Sequence, residues 1–444
     1  MGQHIGGPAR RAVLLAPLAL SGCGLWNNWF GEVKKPLPGK REPVLPPQRG
    51  LKVDAGAPRV VLPPPVRNTA WPQAGGNPAH LMGHLEASHS LAEAWRAGIG
   101  EGGGYRQKIM AQPVVANGLV FTMDSDAVVS AFQLRDGARV WRTDSKAKDD
   151  DSSNVGGGLA FYQGVLYAVN GLGEAVAFDP AKGSVRWRKS FGAPTRSAPT
   201  VVEGRIFFVT IEDRLVVLAT QDGRRLWDHQ ATNPATQVLG QPAPAYANGL
   251  VVAGFGSGEI ACLRADSGNL VWSDSLGSAS RASTLADFSS IRGRPVISGG
   301  RVFAVGMGGL ALGMDLPTGR RLWERQVSGE DSPWVAGSWM FMVSDGQEMT
   351  AIQTTDGSVA WISPLPRWED EEAHKGPISW WGPALLSDRL VVTSTTGEAL
   401  AVSPYTGAIL GRQKLSSPAA PVEPVVAQGT LLVLTDAGRL LALR

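Results

Sequence analysis

The segment Met314-Asp315-Leu316-Pro317-Thr318-Gly319-Arg320-Arg321-Leu322-Trp323 decides the fold. A polar turn ends in glycine, three residues follow, and a tryptophan closes the phrase. The phrase recurs at Gly137/Trp141, Gly183/Trp187, Gly223/Trp227, Gly268/Trp272 and Gly357/Trp361, and at Gly407 with Gly411 in the tryptophan's place. Successive glycines lie 46, 40, 45, 51, 38 and 50 residues apart, a spacing that chance does not produce. Each stands between two alternating apolar runs, and period-two alternation around a pair such as Asp136-Gly137 or Asp222-Gly223 signals a hairpin. A second hairpin precedes each: Pro113 and two valines, Asn117-Gly118, then residues 119–122. One unit thus holds four short antiparallel strands, and units repeating every ~40–50 residues are propeller blades.

The chain ends supply an eighth unit. Residues 421–444 offer three strands, around Val425, at 430–434 and at 440–443, and stop where a fourth bearing tryptophan is due. Residues 91–95, ending in Trp95, look like that strand and have no partner of their own. Pairing the two closes the ring and removes open edges that invite aggregation. The expectation is an all-β, eight-bladed β-propeller of four-stranded antiparallel blades over residues 71–444. A seven-bladed ring with a dangling N-terminal strand is the alternative. Trp95, Trp141, Trp187, Trp227, Trp272, Trp323 and Trp361 then share one blade-docking role, which accounts for 15 Trp against 5 Tyr.

Arg10 and Arg11 lead into an apolar stretch over residues 12–20, shorter than the ~20 residues of a membrane-spanning helix and consistent with a secretory signal over 1–22. It ends in Leu20-Ser21-Gly22-Cys23, which resembles the lipobox of bacterial lipoproteins. That resemblance implies acylation of Cys23; at roughly 0.8 kcal/mol per buried CH₂, two or three chains anchor a protein stably. Residues 23–70, with nine prolines between Gly31 and Ala70, read as a stiffened, disordered tether.

The Asp-x-x-Thr-Gly-x-x-x-Trp turn, complete at Asp315–Trp323, resembles the tryptophan-docked repeat of quinoprotein-type (PQQ-like) propellers. Lipobox, tether and eight blades together resemble the BamB family, lipoproteins of the outer-membrane β-barrel assembly (BAM) machinery. This resemblance implies a non-catalytic protein without cofactor, anchored at the periplasmic face of the outer membrane. Its implied partners are the POTRA domains of BamA and other BAM subunits, with unfolded outer-membrane precursors as further candidates. It also implies contact through two neighbouring inter-blade loops, here at Thr236, Val238, Leu239 and Gln241, and at Asp287, Ser290, Ile291 and Arg292. The family's hydrophobic element is kept there and its charges are not. Val238 and Leu239 packing beneath a neighbouring loop is the alternative.

The rival is a PQQ-dependent dehydrogenase or a cofactor-binding periplasmic relative. Such enzymes resemble this repeat but use a calcium ion, an Asp base and typically a vicinal disulfide, and only Cys262 follows Cys23. Asp149-Asp150-Asp151 reads as a solvated turn. His80 and His84 have a spacing that suits a metal only on a helix, which Pro78 and Gly83 oppose; with His89 they read as structural or solvent-facing, so no metal site is expected. Cys262 reads as a small core residue on an alternating strand. Residues 368–372 read as a solvated loop, and Trp380 and Trp381 as core at the start of the seventh blade. A third reading, an envelope ligand sensor, requires an aromatic-lined axial funnel. Lys+Arg 42 against Asp+Glu 39 leaves no surplus for a nucleic-acid partner.

Overall fold

The alternating runs become strands throughout, and among the described residues no helix forms. The computed structural model describes residues 2, 50–88, 90–104, 107–147, 154, 156–232, 240, 242–277 and 290–444. Seven four-stranded antiparallel sheets follow in chain order: blades 1 (residues 114–144), 2 (157–190), 3 (200–230), 4 (245–275), 5 (296–326), 6 (334–364) and 7 (380–414). Blade 8 takes three strands from the C-terminus (425–443) and its outer strand, Glu93–Gly98, from the N-terminus. Trp95 pairs with Ala442 and Gly98 with Arg439. The ring is therefore eight-bladed and closed between the chain ends, and the seven-bladed alternative is excluded. The short innermost strands neighbour one another in order around the axis.

The core lies between blades, which is why the middle strands are buried on both faces. One apolar cluster joins blades 1 and 2 through Phe121, Trp141 and Phe178. Equivalent clusters fill each interface up to blades 6 and 7. The largest joins blades 7, 8 and 1. Cys262 is fully buried in this layer, where burial pushes its thiol up to about 12.

The repeated tryptophan is a fastener with a defined socket. Each indole N–H donates to a backbone carbonyl of the following blade, three residues before that blade's turn glycine. The acceptors are Leu134, Pro180, Thr220, Ala265, Leu316, Thr354 and Pro404, at 2.7–3.1 Å. The glycine supplies the rest of the socket. At Gly319 φ is +70°, and a Cβ there would lie 2.6 Å from the Trp272 ring; a side chain is excluded by conformation and by space. A bulge recurs just before the tryptophan in blades 1–6, as where Ala131 pairs with Trp141 but Phe132 pairs with Arg139, and before Gly411 in blade 7. Bulges re-aim side chains, and this one turns the indole toward the next blade.

The broken phrase in blade 7 follows from ring closure. Gly411 pairs with Ala401 as Trp141 pairs with Ala131. The next blade, however, takes its outer strand from the other end of the chain. Blade 8 therefore has no turn between its third and fourth strands, hence no carbonyl and glycine to receive an indole.

Two segments differ from expectation. Residues 368–372, read as a solvated loop, are largely exposed but belong to a hairpin of Trp368–Asp370 and Lys375–Pro377, in which the Trp368 and His374 rings approach to 5.7 Å. The end of the expected tether is also docked on the propeller. The Asp54 carboxylate accepts from Val359 N and pairs with Arg325 at 3.1 Å, Val60 is buried beside Trp339, and Val66 bridges Leu85. Composition does not reveal this because the contacts at residues 54 and 60 are made with residues some 270–300 positions away.

Candidate functional site: the axial mouth

The chain before blade 8's outer strand runs as a strap along the inner edges of the blades. Trp71 exchanges two backbone hydrogen bonds with Val115 of blade 1. Pro72 O accepts from Phe161 N of blade 2, and Gln73 Oε1 from Val201 N of blade 3. Pro78 O and Ala79 O accept from Tyr246 N of blade 4 and Ile297 N of blade 5. Gly83 O accepts from the Trp334 indole of blade 6 at 2.7 Å. Leu85 bridges Leu386 of blade 7, and Ala87 bridges Gly429 of blade 8. Residues 71–87 thus visit all eight blades in order. At ~3.3 Å per residue they span at most about 55 Å, which suffices only for a circuit inside the ring. The strap satisfies sheet edges that would otherwise present unpaired donors toward the axis.

The two described histidines of the expected trio hold this strap. The His80 Nδ1–H donates to Pro295 O at 2.8 Å. The ring is buried, and desolvation, with the nearby Arg294 charge, lowers its pKa to about 3, so it is neutral. His84 Nδ1–H donates to Pro63 O at 2.7 Å, and its Nε2 accepts from Asp388 N. Both rings do structural work. His89 and residues 149–151 lie outside the described residues.

Beyond the strap, described residues of the linkers between blades 2 and 3, 4 and 5, 5 and 6, and 7 and 8 border a mouth whose walls are charged. Arg196, Arg292, Arg294, Glu330, Asp331 and Glu423 border a cavity of about 80 Å³. Arg294 and Glu423 form a largely buried pair at 3.0 Å. Burial alone would raise the Glu423 carboxyl, but the Arg294 charge and the hydrogen bonds it accepts outweigh this and hold it below the ordinary range. Asp331 goes the other way: burial first, then the Glu423 charge, raises its pKa well above the usual value, while one of its oxygens accepts from Gly382 N at 3.0 Å. Arg292 pairs with Glu330. No aromatic side chain lines this cavity among the described residues, whereas the aromatic funnel of a ligand sensor requires them. Sequence reading missed this cluster because its members are up to 227 positions apart in the chain. Position offers a signal: Arg294 and Glu423 each precede the proline that leads into an innermost strand.

Of the expected partner loops, Gly240 and Arg292 border this mouth. Thr236, Val238, Leu239, Gln241 and Asp287 lie outside the described residues, as does Cys23. Of the remainder, Ser290 and Ile291 are buried and not presented to a partner. Ser290 Oγ donates to Gly256 O at 2.7 Å, and Ile291 N to Phe255 O, which pins the root of the second loop to blade 4. Arg292 is partly exposed and faces the mouth. Trp380, expected in the core, is buried with its indole donating to Pro366 O, whereas Trp381 is half-buried.

Comparison with known proteins completes the picture. The family model described as outer membrane protein assembly factor BamB matches residues 125–363 and 367–444, most of the propeller. The chain belongs to the BamB family. BamB from Yersinia pestis is 24% identical over 364 residues, covering 81% of this chain and 90% of the relative. BamB from Shewanella oneidensis is 26% identical over 373 residues, covering 82% and 91%. Among solved structures, BamB from Moraxella catarrhalis superimposes with a TM-score of 0.67 at 17% identity, covering 80% of this chain and 99% of that one. A quinohemoprotein alcohol dehydrogenase from Comamonas testosteroni gives 0.65 at 14% identity, covering 85% and 81%. The two TM-scores are nearly equal, so architecture alone does not separate BamB from the dehydrogenases; the sequence match does.

Proposed function

We propose that the chain is a non-catalytic, lipid-anchored scaffold at the periplasmic face of the outer membrane, which binds the POTRA domains of BamA and so assists assembly and insertion of β-barrel proteins. The family match across the propeller carries this reading, since the relatives are named outer membrane protein assembly factors. The lipobox at Cys23 supports the anchor. The loops over 236–241 and 287–293, of which Gly240 and Arg292 border the mouth, support the contact surface. A quinone cofactor is not favoured: the strap runs inside the ring of innermost strands, and the cavities described at the mouth measure about 20, 80 and 90 Å³, against ~300–1,000 Å³ for typical small-molecule sites.

Deleting the gene in its own host is expected to reduce the folded β-barrel content of the outer membrane several-fold. Restoration is expected from the wild-type gene but not from one carrying Cys23→Ala. Quantitative mass spectrometry of outer-membrane fractions reads both. Unchanged barrel content in the deletion strain would overturn the proposal.

A further inference from the structure

Of the three guanidinium groups at the axial mouth, two are answered by carboxylates: Arg292 by Glu330 and Arg294 by Glu423. Arg196 is not. It has no ion-pair partner among the described residues, its Nε is buried without a hydrogen-bond partner, and it lies close enough to Arg292 to feel the like charge. Burial foremost, and then Arg292, lower its pKa, the mark of a cation kept in an unfavourable place. Asp331, the remaining acid among the described residues that border the cavity, makes no ion pair with it. Asp331 gives an oxygen to Gly382 N–H, and burial with the Glu423 charge raises its pKa well above the usual value.

Two glycines let the backbone approach both arginine side chains closely. Gly156 and Gly240 have φ of +145° and +149°. A Cβ on Gly156 would lie 2.9 Å from Arg196 Cγ, and one on Gly240 would lie 2.7 Å from Arg292 Nε. Both arginine stems therefore lie against bare backbone, and both side chains border the same cavity of about 80 Å³, several water-sized volumes.

A partly buried polar group left unpaired calls for an explanation. Guanidinium forks match carboxylate and phosphate oxygens in pairs. We infer that the axial mouth holds a binding site for a small oxyanion between Arg196 and Arg292, filled by a free ion or by the carboxylate of a partner's acidic side chain. The site goes beyond the POTRA reading. Because the probes are small anions alone, it stands or falls separately from that reading.

The test titrates the full mature chain with inorganic phosphate and, separately, with N-acetyl-aspartate amide, at constant ionic strength set by chloride, using isothermal titration calorimetry. Saturable binding is expected, at least tenfold weaker in Arg196→Gln and intermediate in Arg196→Lys, which keeps the charge but not the fork. Tighter binding of phosphate assigns the site to a free ion, and tighter binding of the aspartate probe assigns it to a partner's carboxylate. An unchanged urea midpoint in Arg196→Gln shows that the loss is local; if that variant does not fold, Arg196→Lys decides alone. No saturable binding at millimolar concentrations, or equal binding by wild type and the folded variant, overturns the inference.

Discussion

Trp272→Ala is expected to lower the free energy of unfolding by about 3–5 kcal/mol, the range for deleting a buried tryptophan side chain, whereas Gly411→Trp brings no gain. The first change empties a socket in which the indole donates to Leu316 O at 2.7 Å and packs on Gly319. The second places an indole in the register position of the other seven, with nothing to receive it, because a Cβ on Gly411 would meet no described atom within 4 Å beyond its chain neighbours and blade 8 lacks the turn that makes the socket. Gly319→Ala should approach the cost of Trp272→Ala, since its Cβ would displace the same ring from a backbone already at positive φ. Urea midpoints of the purified variants check all three. Stabilisation by Gly411→Trp comparable in size to the Trp272→Ala loss would refute the socket.

The strap carries the second large effect. Deleting residues 66–88, which leaves the closing strand Glu93–Gly98 in place, withdraws acceptors from the N–H groups of Val115, Phe161, Val201, Tyr246 and Ile297. At ~1 kcal/mol per net hydrogen bond, these alone cost about 5 kcal/mol; the lost burial of Trp71 and Leu85 adds to it. The deletion variant should unfold at a markedly lower urea concentration. Its five freed amides should exchange with deuterium near the rate of exposed groups, while those in the middle strands stay protected. Five amides protected as in the wild type would show that the strap is not what satisfies the inner edges.

These expectations mark the border of what the sequence discloses. Gly319 and Trp323 state the blade openly, because the turn, the bulge and the indole lie within five residues of one another. Closure was legible as well, since Trp95 lacks a unit and residues 425–443 lack a strand. The meaning of Gly411 was not, because it depends on a turn missing from a different blade. Nor was the strap: its prolines and glycines have the composition of a linker, and Gln73 or Ala79 looks idle until the ring brings residues 201 and 297 beside it. The charged mouth was hidden for the same reason. Arg196 and Glu423 become neighbours only when the propeller is complete. Among the partner-loop residues, Ser290 and Ile291 show the limit of a position-by-position resemblance, because both are buried where the chain is hydrogen-bonded to blade 4.

The most direct measurement for the whole account is binding of the mature protein to the isolated POTRA domains of BamA from the same organism, followed by biolayer interferometry. Saturable binding by the wild type, with at least tenfold loss in a Val238→Arg, Leu239→Glu double variant that keeps the wild-type urea midpoint, is the predicted result. Absence of binding by the wild type, or equal binding by the folded double variant, would contradict a scaffold that meets BamA through these loops.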